Sequence, residues 1–145
     1  MSGIGRKNIL FSEREYSMPR QGFDQELNEL RTKALAIGSE VDVNLMKVTR
    51  ALIERNENVA QQLIDADKDI NRRYIELVMR SLKLIATQQP MAGDMHFIAA
   101  VIEIAGEFKR IHDYLKGIAK ISLKIGPEGM LLPSIVRNMP HMTSS

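Results

Sequence analysis

The chain has 145 residues, 44% of them apolar and 26% charged, which suits one soluble domain with a real core and excludes a disordered or collagenous chain. It contains no Cys, so disulfides, thiolate metal sites and cysteine nucleophiles are all excluded. The net charge of +2 resides in residues 1–22; the rest is balanced, with no dense basic stripe of the kind a nucleic-acid binder carries.

Residues 1–22 are polar and contain Gly3, Gly5, Pro19 and Gly22, the pattern of a flexible lead-in. The patch around Ile9, Leu10 and Phe11 is too short for the apolar region of a signal peptide. No charge-free run reaches the length of a membrane span, so cytoplasmic residence, peripheral at the inner face of the membrane where a partner requires it, is expected.

From Phe23 the apolar residues advance by threes and fours: Phe23, Leu27, Leu30, Ala34, Ile37, Val41, Leu45, Val48 and Leu52. This spacing predicts an amphipathic helix. Residues 55–58 interrupt it, and Asn56 or Asn58 is placed to cap a second helix running to about Gln88. Its expected stripe is Val59, Leu63, Ala66, Ile70, Tyr74, Leu77 or Val78, Leu82 and Ile85. Pro90 then stops it, since proline donates no amide and disfavours helix before it. A third helix follows from Met91 or Ala92 to about Lys124, with Ile98, Val101, Ala105, Phe108, Leu115, Ile118 and Ile121 facing inward. Residues 126–145 hold three prolines and read as linker. The expected fold is all-α: an up-down-up three-helix bundle of long helices over residues 23–125.

Nothing in this pattern points to catalysis. There is no Gly-rich phosphate loop, no G-x-S-x-G and no H-E-x-x-H. A di-iron bundle needs Glu-x-x-His pairs, and Glu54, Glu57, Glu76, Glu103 and Glu107 all lack a His three residues on. His96 and His112 are too far apart on one helix to share a metal, and His141 has no acidic neighbour. Asp65, Asp67, Asp69 and Asn71 put oxygen donors four apart on the second helix, half of a cation site, although a solvated acidic face is the commoner meaning. On the third helix, Lys109 with Asp113 and Arg110 with Glu107 fit intrahelical ion pairs. Met79, Met91 and Met95 read as core filler.

Three segments are specific in combination: FDQELNELRTKALAIGSEV, ALIERNENVAQQLIDADKDIN and LIATQQPMAGDMHFIAAVIEIAGEFKRIHDYLKGIAK. In order and spacing they resemble one repeat of the phosphate uptake regulator PhoU family, the sharpest piece being ATQQPMAGD followed by RIHDY. The resemblance implies a non-enzymatic, cytoplasmic adaptor that restrains phosphate uptake and the phosphate-starvation response. Its implied partners are the ATPase of the phosphate ABC transporter and a sensor histidine kinase. It further implies tandem repeats, so residues 126–145 would lead toward an absent second repeat and two copies would pair as a homodimer to rebuild the arrangement. Expected partner contacts are Gln88, Gln89 and Pro90 at the inter-helix corner, with Arg110 and Asp113 on the third helix.

Some members of the family bind iron or other metals through Asp/Glu-x-x-x-Asp motifs, which fall here on Asp67 with Asn71 and on Lys109 with Asp113. Iron, manganese or magnesium would then be held by Asp67, Asn71 and Asp113. Lys109 stands where the family has Glu, and His112 and His96 stand where it has Gly and Arg. The expectation is that Lys109 compensates Asp113, and Asp67 with it, leaving no cofactor. The alternatives are a metal-binding bundle and a degenerate fragment without signalling.

Overall fold

The computed structural model describes residues 19–125, which form three long helices: α1 (Arg20–Glu54), α2 (Glu57–Gln88) and α3 (Ala92–Ile125). They pack up-down-up, so α1 and α3 run parallel, α2 runs antiparallel to both, and each helix packs on the other two. The expected all-α bundle is what the chain forms. The expected linker and most of the lead-in lie outside the described residues.

Local chemistry sets each boundary. The α1 helix begins at Arg20, three residues before its first apolar position, because the Phe23 amide already donates to the Pro19 carbonyl at 3.1 Å. It ends at Arg55, which adopts a left-handed conformation (φ 54°, ψ 43°), while the Asn56 amide donates back to the Ala51 carbonyl at 3.1 Å. Asn56 then caps α2: its side-chain oxygen accepts from the Val59 amide at 3.2 Å. At the other end, Gln89 turns left-handed before Pro90, and Asp94 Oδ2 accepts the Met91 amide at 3.2 Å as α3 starts.

Two apolar clusters run end to end along the bundle. One contains Phe23, Leu30, Leu77, Leu84 and Ile98; the other contains Ile37, Val48, Leu63, Ile70 and Leu115. Between them Phe108 of α3 lies over Gly38 of α1, where an added Cβ would stand 2.6 Å from the ring. That glycine lets the two parallel helices approach.

Several expected core positions are displaced by one or two residues. Asn44 and Ala51 are buried where Leu45 and Leu52 were expected, and Ser81 and Leu84 replace Leu82. On α3, His112 is fully buried, Phe108 is half-buried and Ile121 is exposed. Apolar residues flank each true core position, so counting apolar residues alone moves the stripe onto a neighbour. Met79, Met91 and Met95 are exposed rather than core filler.

Candidate functional site

Polar residues gather at three places. The first lies inside the second apolar cluster, where each helix contributes one residue at a core position. Asn44 follows Val41 by three, Asp67 follows Leu63 by four and His112 precedes Leu115 by three, so the helical register turns all three inward. The carboxamide of Asn44 lies 3.0 Å from His112 Nε2, and His112 Nδ1 lies 3.0 Å from Asp67 Oδ1. Lys116, one turn beyond His112, donates to Asp67 Oδ2 at 3.1 Å. With the Asn44 amide as donor, Nε2 accepts and the ring carries its proton on Nδ1, toward the carboxylate. Burial pushes the Asp67 carboxyl up, but the hydrogen bonds from His112 and Lys116 and the Lys116 charge outweigh it and hold it below the ordinary carboxylate value. Asp67 is therefore an ionised, fully engaged carboxylate. Its neighbours behave as the solvated face expected of them, Asp65 accepting from Gln61 and Asp69 pairing with Arg72.

The second place is an open hollow between α2 and α3, lined by Tyr74, Glu103, Glu107, Lys109, Arg110 and Asp113 among others. Both expected intrahelical pairs are present: Lys109 Nζ reaches Asp113 at 3.4 Å and Arg110 reaches Glu107 at 3.5 Å. The Lys109 ammonium also stands 5.9 Å from the centre of the Tyr74 ring.

The third is the corner between α2 and α3, where Gln88, Gln89 and Pro90 line a small hollow with Arg20, Phe23, Met91 and Asp94. Here Arg20 grips Asp94 bidentately at 2.8 and 2.9 Å and stacks over Phe23 at 5.3 Å, joining the N-terminal ends of the parallel helices α1 and α3. The guanidinium holds the Asp94 carboxyl below its ordinary value against the effect of burial, helped by the Met91 amide.

The expected metal ligands do not converge. Asp67 has given its oxygens to His112 and Lys116, Asp113 is paired to Lys109, and Asn71 adds only a neutral donor. Among the described residues no three His, Asp or Glu side chains gather as a metal site. The donor set does not fit a cation cluster. The ammonium on Asp67 also differs from expectation: it is Lys116, not Lys109, which is confined to Asp113. His96 is exposed near the start of α3, far along the helix from this network.

Residue identity alone did not single out Asn44, Lys116 or the Arg20–Asp94 clamp. The available signal was register: Asn44, Asp67 and His112 each fall on the three-four spacing of apolar core residues on either side.

Comparison with known proteins places this geometry. Residues 35–122 match the family model described as the PhoU domain. A phosphate-specific transport system accessory protein PhoU homolog of Zymomonas mobilis is 32% identical over 100 residues, covering 69% of this chain and 42% of that protein. A homolog of the same description from Streptococcus pneumoniae is 31% identical over 114 residues, covering 79% of this chain and 52% of that protein. The crystal structure of the phosphate transport system regulatory protein PhoU from Streptococcus pneumoniae superposes with a TM-score of 0.68 at 26% identity, covering 81% of this chain and 55% of that one. The chain spans about half the length of the curated relatives it matches.

Proposed function

The chain belongs to the PhoU family, and from that premise we propose that it is a cytoplasmic adaptor acting as a homodimer in phosphate homeostasis, restraining phosphate uptake and the phosphate-starvation response. It works by docking, binding the ATPase of the phosphate ABC transporter and the sensor histidine kinase and so shifting which signalling state is populated. The family match over residues 35–122 carries the proposal, because the titratable groups buried in the bundle are consumed in holding helices together. No helix among the described residues is long and apolar enough to cross a membrane.

The contact surface we assign is the α2–α3 corner with the adjoining face of α3. Gln88, Gln89 and Pro90 border the corner hollow, while Arg110 and Asp113 border the hollow beside Tyr74. A metal-dependent alternative finds no support in the donor set, whose carboxylates are paired with nitrogen donors of the same chain.

Binding of the full chain to the purified transporter ATPase and to the cytoplasmic part of the sensor kinase tests the proposal. Saturable binding that weakens at least about tenfold in a Gln89→Ala/Arg110→Glu variant is expected, since an interface charge reversal removes one attraction and adds a repulsion. Absence of binding to both partners by the unaltered protein overturns it.

A further inference from the structure

Helix α3 carries two apolar faces. One builds the core. The other points outward with coiled-coil spacing: Ile104 and Ile111 stand seven residues apart, and Tyr114 and Ile121 occupy the complementary positions, while Phe97 and Ile118 on the same heptad row pack against the core clusters. Four of these side chains stand open to solvent, Ile104 at 48%, Ile111 at 41%, Tyr114 at 68% and Ile121 at 57%. Isolated exposed apolar residues are ordinary, but a seam of them in register is not. The edge of α1 continues it. Gly38 touches Phe108, so Leu45 and Leu52, one and two heptads further on, lie on the same α3-facing edge of α1. Leu45 is exposed and Leu52 half-buried there.

The seam is palindromic. Reversing its direction about a point between His112 and Asp113 brings Ile104 onto Ile121 and Ile111 onto Tyr114, the exposed apolar positions; beyond them the half-buried Ile118 falls on Glu107. A two-fold contact requires that property, since residue i must meet j while j meets i. The flank obeys it as well. In this antiparallel register Glu103 of one copy falls level with Ser122 of the other, two residues from Lys124 on the same flank and within reach of its long side chain, and the symmetry makes the pair twice. Both are exposed, and neither forms an ion pair among the described residues. Glu107, the one charged member of the seam, has its carboxylate engaged by Arg110 on the flank.

We infer that the outer face of α3 is the surface on which a second copy of this chain docks, antiparallel, with Ile104, Ile111, Tyr114 and Ile121 forming the seam and Glu103–Lys124 pairs fixing its direction. The inference deepens the homodimer proposed above by naming the face and the register.

The chain contains no Cys, so engineered cysteines report pairing cleanly. The full chain at tens of micromolar is expected to scatter light as a dimer. A mixture of Glu103→Cys and Lys124→Cys chains is expected to form mixed disulfide dimers under mild oxidation. Neither variant alone should do so, because in an antiparallel pair identical positions at these sites lie about 30 Å apart along the helix. Ile111→Glu is expected to weaken dimerisation at least about tenfold, since it puts two carboxylates into the apolar seam. Unchanged helical circular dichroism would show that this variant still folds.

A dimer that fails to give the mixed disulfide, or that is insensitive to Ile111→Glu, overturns the α3 register while leaving the homodimer standing. A monomer overturns both. Binding to the transporter ATPase or the kinase, measured separately, decides the adaptor function in either case.

Discussion

An ionised carboxylate inside an apolar bundle costs several kcal/mol unless donors meet its oxygens, and at Asp67 both oxygens are met. That arrangement makes stability depend on acid. The native carboxyl titrates below the ordinary value of 3.8, so the folded state gives up its charge less readily than the unfolded one. The resulting stabilisation is complete above the unfolded pKa, about 3.9, and is lost as pH falls through the lowered native value. Asp94, gripped by Arg20, adds a contribution of the same sign over the same range. An Asp67→Asn substitution is therefore expected to lower stability near neutrality by about 1–3 kcal/mol, the usual cost of a disrupted buried hydrogen-bonded charge. It should also flatten the decline below pH about 4 without abolishing it, because Asp94 remains. Urea midpoints measured from pH 7 down to 2.5 decide the matter. Two parallel curves would mean that Asp67 is not held ionised by its neighbours.

At the scale of the helices, the sequence was legible where chemistry is local and hard to read where it depends on partners. Asn56, Pro90 and the three-four spacing placed the helix boundaries within a few residues, since caps, proline and amphipathic period act within one turn. The intrahelical pairs of Lys109 and Arg110 were readable for the same reason. Asn44, Ser81 and His112 were not, because apolar periodicity scores a polar residue as surface even when another helix, or for Ser81 the Leu77 carbonyl of its own helix, takes up its hydrogen bond. Asp67 was hidden likewise between Asp65 and Asp69, which do face solvent or surface arginines. The Arg20–Asp94 clamp joins residues 74 apart and left no local trace. Of the local devices, the cap at the α1–α2 turn is the most exposed to test. Asn56→Ala removes the side-chain acceptor from the Val59 amide while the backbone turn at Arg55 persists. A loss of about 1 kcal/mol is expected in chemical denaturation, with an unchanged denaturant slope. An effect under a few tenths would mean that water or the turn itself serves the amide as well.

The whole molecule has more apolar helix surface than three helices can bury. The inner faces close on each other in two clusters; what remains exposed is spread over all three helices, and on α3 Ile104, Ile111, Tyr114 and Ile121 fall in heptad register. Pairing through α3 couples folding to association, because only folded chains present the seam. Mass action then makes thermal stability depend on concentration. The melting temperature of the unaltered chain is expected to rise as protein is raised from about 1 to 100 μM, a range spanning micromolar pairing. Ile111→Glu should melt at nearly the same temperature throughout, since its own inner core is untouched. Salt separates the two components of the contact. Exposed ion pairs such as Glu103–Lys124 are worth about 0.2–1 kcal/mol each and are screened, whereas apolar burial is not. Raising the salt to about 1 M should therefore leave most of the concentration dependence in place. Its disappearance would place the association energy in the charges and not in the isoleucine seam, and a concentration-independent melt in the unaltered chain would remove the seam from the assembly altogether.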